Sequence, residues 1–123
     1  MSKHSVRITS IYCNASSEPN LTDGDEVYLI CQADGGIPIR IPAAINSSHN
    51  MKAKSSWSFD NLILKYDYEV LVTLWDHDVM FDPNTATYLQ SNEFISGTIG
   101  GASAKQLKNL DGADYMIYYT YLS

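Results

Sequence analysis

Cysteine is scarce in this chain of 123 residues: there are two, Cys13 and Cys31. Two are too few for the cross-linked framework of a small disulfide-rich domain. The expectation is a pair of half-buried thiols on strands. Basic residues are scarce as well. Eight Lys and Arg stand against fourteen Asp and Glu, a formal net charge of −6. A nucleic-acid binder needs a basic footprint, and this chain has none, so no nucleic-acid partner is expected. Standing attraction to an anionic membrane is disfavoured for the same reason, unless bound cations change the local charge. No apolar run approaches the ~18 residues of a membrane span. Met1-Ser2-Lys3-His4-Ser5 leads into a strand-like run with no apolar signal region. His4, His49 and His77 have no zinc spacing, and no nucleophile-elbow motif is present. Catalysis is therefore not expected.

What is abundant is strand-forming residues. Nine are Tyr, and the apolar runs are short. Val6 to Tyr12 alternates, with Val6, Ile8 and Ser10 expected on one face and Arg7, Thr9 and Ile11 on the other. Glu26 to Gln32 reads as a second strand, closed by the Asp34-Gly35-Gly36 turn signal. Ile37 to Ile41 alternates too, but Pro38 and Pro42 mark it as an edge strand. Ser55 to Phe59 carries Trp57 and Phe59 on one face. Tyr68 to Trp75 is the most strand-like segment and reads as central. Glu93 to Ile99 and Tyr115 to Tyr121 read as strands, and Ala102 to Leu107 as a short helix. Turn signals every 8–12 residues, roughly the spacing of sandwich folds, predict one all-β domain over 1–123, an eight-stranded antiparallel β-sandwich.

The chemistry is concentrated in two acidic segments. Asp23-Gly24-Asp25-Glu26 precedes a strand. Asp76-His77-Asp78 follows the central strand and opens a long loop to about Asn92 that also holds Asp82 and Asn84. Carboxylates at i and i+2 point to the same side of an extended chain. Two such clusters at one end of a sandwich would surround a strongly negative point, and hard divalent cations take six to eight oxygen ligands, roughly what such loops offer. Asp and Gly are also ordinary turn residues, which is the competing reading.

At these residues the sequence resembles the C2 domain family, calcium-dependent membrane-targeting β-sandwiches. Leu21-Thr22-Asp23-Gly24-Asp25-Glu26-Val27-Tyr28 is similar to the family's "Gly-x-Ser-Asp-Pro-Tyr-Val". Trp57-Ser58-Phe59 resembles "Trp-x-Glu-x-Phe". Val70 to Asp78 is close to "Leu-x-Val-x-Val-Trp-Asp-x-Asp". Glu93-Phe94-Ile95-Ser96-Gly97 resembles "Asp-Phe-Leu-Gly", and Gly112 to Tyr121 the terminal "Gly-x-Tyr-x-Leu-x-Tyr". The resemblance implies Ca²⁺ ligands at Asp25, Asp76 and Asp78, with Asp23 in the same loop but off a family ligand position. The last ligand falls on Asp82 or Asn84 by proximity, or on Glu93 or Asn92 by the Phe-x-x-Gly anchor. It further implies calcium-dependent binding to a phospholipid membrane surface, as a cytoplasmic, peripheral membrane module or part of a larger protein assembly.

Three further readings accompany it. Val79-Met80-Phe81 sits among the acidic groups, either to enter the bilayer interface or to fold back on the sandwich. Trp57 and Trp75 are expected in the core. Arg40, Lys52 and Lys54 are expected on a strand face, either as a patch for headgroups or simply solvated. Two other functions compete with calcium-dependent lipid binding. One is a calcium-independent C2-like interaction or scaffold domain, and the other a carbohydrate-binding sandwich using its Trp and Tyr residues.

Overall fold

The computed structural model describes residues 2–16, 25–44, 47–76, 84–89, 102–108 and 113–123. Among them are nine strands: β1 His4–Ala15, β2 Asp25–Ala33, β3 Ile39–Ile41, β4 His49–Met51, β5 Ser56–Tyr66, β6 Val70–Asp76, β7 Asn84–Leu89, β8 Ala102–Lys108 and β9 Asp114–Tyr121. All pairings are antiparallel. One sheet runs β5-β1-β9-β8 and the other β3-β2-β6-β7. β3 and β4 both lie on the side of β2 away from β6, with Cys31 opposite Ile39 and Asp25 opposite Met51. They are one edge strand in two pieces. Counted so, the sandwich is the eight-stranded fold expected, in two four-stranded layers.

The interruption of that edge has a cause in the sequence. Pro42 cannot donate to the ladder. The chain leaves the sheet there and returns at His49, and the Arg40 guanidinium holds the detour. Its Nη1 donates to Pro42 O (2.7 Å), Ala44 O (2.9 Å) and Ser47 Oγ (3.3 Å), while the same group lies 4.0 Å from the Tyr28 ring centroid. Arg40 is therefore occupied locally. Lys52 and Lys54 lie elsewhere, exposed in the β4–β5 turn. The three do not form the shared basic face expected.

The core lies between the sheets. Val6, Ile8, Ile11, Cys13, Leu107, Tyr115 and Ile117 meet Val27, Leu29, Cys31, Val70, Val72 and Leu74, all buried. Each such aliphatic or aromatic side chain contributes about 1.5–3 kcal/mol by leaving water. Both cysteines are free and fully buried, deeper than the half-burial expected.

Four local expectations need correction. In β1 the faces are not Val6, Ile8, Ser10 against Arg7, Thr9, Ile11. Ile8 pairs with Tyr119 and Ser10 with Tyr118, so Thr9 is an extra residue that shifts the register. The bulge turns Ile11 and Cys13 onto the face of Val6 and Ile8. The segment expected as a helix, Ala102 to Leu107, is strand β8, paired in register with β9 from Ala102–Thr120 to Lys108–Asp114. Helix propensity differs by under ~1 kcal/mol per residue among ordinary residues, and a ladder partner outweighs it. The stretch from Asp76 to Asn92 is not one loop, because β7 occupies Asn84–Leu89 against β6. Trp75, finally, alternates with the buried Leu74 and lies outside the core, its Nε1–H donating to Thr73 Oγ1 at 2.6 Å. Trp57 does pack against the core, and it stacks on His49 (4.7 Å, 6°) across the gap between β5 and β4. The strand expected at Glu93 to Ile99 lies outside the described residues.

Candidate functional site

Register brings the acidic strand ends together. Val27 pairs with Asp76, Trp75 with Asn84, and Ala15 with Asp114. The end of β1, the start of β2, the end of β6 and the starts of β7 and β9 therefore share one end of the sandwich. The connections spanning 17–24 and 77–83 leave from that end.

Asp25 starts β2 with the parity of Val27, Leu29 and Cys31, so its side chain points inward and is fully buried. Its Oδ2 accepts a hydrogen bond from the hydroxyl of Tyr115, also fully buried, on the opposite sheet. Burial first, and then the Asp25 carboxylate, drive the Tyr115 hydroxyl far above its ordinary pKa, so it remains a donor. The Cys13 thiol is within hydrogen-bonding reach of Tyr115. Burial raises the thiol's pKa, the Tyr115 contact partly offsets this, and Asp25 and Asp114 add to the rise. The β1 backbone here is fastened by Cys13 N–H to Ser55 O (2.9 Å) and Lys54 N–H to Cys13 O (2.6 Å).

Asp76 ends β6, half-buried, and its Oδ1 accepts the Glu26 backbone N–H at 3.0 Å. Glu26 is exposed and has the outward parity of Tyr28. Asp114 ties three strands, its Oδ1 accepting from Gln106 Nε2 (2.8 Å) and Asn14 Nδ2 (3.3 Å). Asn84 lies in strand β7 rather than in a loop. Asp23, Asp78, Asp82, Glu93, Asn92 and the Val79-Met80-Phe81 segment lie outside the described residues.

Among the described residues, no group of three or more His, Cys, Asp or Glu side chains is placed to hold a metal ion. The two aspartates at this end, Asp25 and Asp76, carry the hard oxygen donors that calcium takes. In donor chemistry they fit that ion. In number they fall short of a cage, and of the further ligands implied by the sequence resemblance all but Asn84 lie outside the described residues. Tyr115, Cys13 and Asp114 are the residues sequence reasoning missed. Asp25 and Tyr115 are 90 positions apart, and no local pattern links them. The inward parity of Asp25 was readable from Val27, Leu29 and Cys31.

No family model matches the chain, and no curated protein matches it in sequence. Solved structures match it in fold. A C2 domain aligns over 98% of this chain and 99% of its own, with a TM-score of 0.60 at 12% identity. The C2 domain lettered A of a plant extended synaptotagmin 1 aligns over 97% and 92%, with a TM-score of 0.61 at 7% identity. A structure of the C2 domains lettered A and B of extended synaptotagmin 2 aligns over 98% of this chain and 42% of its own, with a TM-score of 0.60 at 12% identity. The chain has the fold of a C2 domain, far diverged in sequence. Among the described residues no helix is long and apolar enough to cross a membrane.

Proposed function

We propose that this chain is a non-enzymatic C2-type module that docks at the periphery of a phospholipid surface, and that calcium switches the docking on. The observation that carries the reading is the convergence of Asp25 and Asp76 at one end of a C2-fold sandwich. Segments holding Asp23, Asp78 and Asp82 leave from that same end. Asp25, Asp76 and Asp78 are the residues this reading assigns to the ion, with Asp23, Asp82, Asn84 and Glu93 as the neighbouring oxygen donors. A bound calcium ion supplies positive charge that offsets these carboxylates and attracts lipid phosphate. Without that offset, acids beside Val79-Met80-Phe81 keep these residues off lipid, because moving a charge toward hydrocarbon is costly. With it, the three apolar side chains add contact that salt does not screen. A cytoplasmic, peripheral membrane location accords with this reading, alone or within a larger assembly.

The test is sedimentation with vesicles of phosphatidylcholine and phosphatidylserine, in calcium or in chelator. Binding is expected only in calcium, surviving raised salt in part and reduced by Phe81→Ala. Equal binding in chelator would remove calcium from the mechanism. Phe81→Ala without effect would remove Phe81 from the lipid contact.

A further inference from the structure

The end of the sandwich remote from the acidic strand ends has an open corner. Among the described residues, three of the four exposed large hydrophobic side chains lie there: Ile37 (89% exposed), Ile39 (55%) and Tyr68 (76%). Ile39 pairs with Cys31, whose side chain is buried between the sheets, so Ile39 has inward parity as well. It stays over half exposed because it stands over a cleft and not in the packed interior. The cleft, about 70 Å³, opens between the β3 edge of one sheet and β5 of the other, lined by Cys31, Ala33, Ile39, Ile63, Leu64 and Val70. An apolar cavity that takes benzene measures ~150 Å³. This one has room for the branched end of a single aliphatic side chain and none for a lipid tail.

We infer that this corner is a self-complementary docking surface, where a second copy of the chain inserts its Ile37 into the cleft and receives the first copy's Ile37 in return. A two-fold contact uses one patch twice, so the patch must carry both knob and hole. Ile37 is the knob. It stands two residues upstream of Ile39, ~7 Å along an extended chain. The charges are self-complementary too. Lys65 lines the mouth of the cleft, and Glu69 directly precedes the lining residue Val70. Both are exposed, and among the described residues neither side chain has an ion pair or hydrogen bond. Other charges at this end are engaged. Asp34 accepts three backbone amides, Asp67 accepts the Lys3 amide at 2.8 Å, and the Lys3 ammonium lies 5.5 Å from the Tyr68 ring centroid. A two-fold axis sets Lys65 of each copy against Glu69 of the other. A foreign partner gives no reason for knob, hole, base and acid to share one patch. The contact is made by side chains, because the three residues of β3 behind Pro38 give little ladder for strand pairing. It needs no calcium and lies away from the proposed lipid contact, so it stands or falls apart from that reading.

Sedimentation of the whole chain in chelator, from about 10 µM to about 1 mM, tests this, a range wide enough for the weak association of a small interface. The mass is expected to rise from 13.7 kDa toward twice that value. Ile37→Ser is expected to weaken the dimer about a hundredfold, roughly tenfold for each of the two knobs. Its melting temperature in dilute solution should match the parent's, because Ile37 is exposed in the single chain. Lys65→Glu and Glu69→Lys are each expected to weaken the dimer, and the two together to restore it, since the combined exchange brings opposite signs back across the axis. A chain that stays monomeric over the whole range overturns the proposal and leaves the cleft to another occupant. A dimer indifferent to Ile37→Ser overturns it by placing the interface elsewhere. A double charge variant no tighter than either single one removes the Lys65–Glu69 pairing and with it the two-fold arrangement proposed.

Discussion

Asp34 and Glu69 are bonded in both directions. The Asp34 N–H donates to Glu69 O at 2.8 Å, and Asp34 Oδ1 accepts the Glu69 N–H at 2.9 Å. The same carboxylate accepts from the amides of Tyr68 (2.7 Å) and Asp67 (2.8 Å). One side chain thus joins the turn after β2 to the turn before β6, at the end remote from the acidic mouth. Asp34 itself takes a left-handed φ of 53°, which Asp and Asn tolerate better than most residues.

This predicts a pH dependence. The amides of Asp67, Glu69 and Tyr68 lower the Asp34 pKa below its ordinary value of 3.8. A depressed carboxylate pKa adds stability above the unfolded value and loses it as pH falls through the folded one. Asp34→Ala should lower the urea midpoint at pH 7, and the gap to the parent protein should narrow as pH drops below about 4. A gap unchanged at acid pH would show that the loss comes from backbone strain rather than from the carboxylate.

His49 gives a second pH effect at the other end. It stacks on Trp57 between the sheets, and burial lowers its pKa from 6.5. The unfolded chain therefore takes up the proton first as pH falls, and stability drops from about pH 6.5 down to the lower folded value. His49→Phe should keep the stack and flatten this part of the curve. Melting temperatures at pH 7.5 and 5.5 measure it, and an equal slope in both proteins would remove His49 as the cause.

The β1 bulge predicts an uneven response to deletion. Thr9 is the extra residue, so removing it leaves Val6, Ile8, Ile11 and Cys13 in plain alternation on one face. That variant should fold. Removing Arg7 instead turns Val6 outward and forfeits about 1.5–3 kcal/mol of burial. Urea denaturation of the two deletions ranks them, and the reverse order would contradict the register.

The metal makes a thermal prediction. A ligand bound only by the folded state stabilises it by about 2.7 kcal/mol at a hundredfold excess over Kd. For a chain of this size that is on the order of 10 °C in Tm. Asp76→Asn combined with Asp78→Asn should abolish the shift. Melting curves identical with and without millimolar calcium would favour a calcium-independent interaction domain.

The sequence was most legible where one pattern dominated. The run ending in Val72-Thr73-Leu74-Trp75 has the β-branched and aromatic content of a strand flanked on both sides, and β6 lies between β2 and β7. Pro38 and Pro42 marked β3 as an edge for a reason that holds in any sheet. Legibility failed where a partner decided the outcome. The Thr9 bulge is visible only against β9, and β8 is a strand only because β9 is there to receive it. At the acidic end, the clustering of Asp25 and Asp76 was readable from the motifs. The inward aim of Asp25 was recoverable from parity, but its bond to Tyr115 comes from the stacking of one sheet on the other, which no local window contains.

The two-piece side of the second sheet also bears on solubility. A long uninterrupted strand at that position would be a template for a neighbouring molecule to extend the sheet. Here an approaching chain meets three residues of β3 and three of β4, separated by a detour that Arg40 pins and flanked by prolines that cannot donate. Neither stub offers enough consecutive amides to nucleate growth. Loosening the detour, as Arg40→Ala would, is expected to open this one edge of the second sheet to pairing with a neighbouring molecule, read as a rise in thioflavin T fluorescence on incubation.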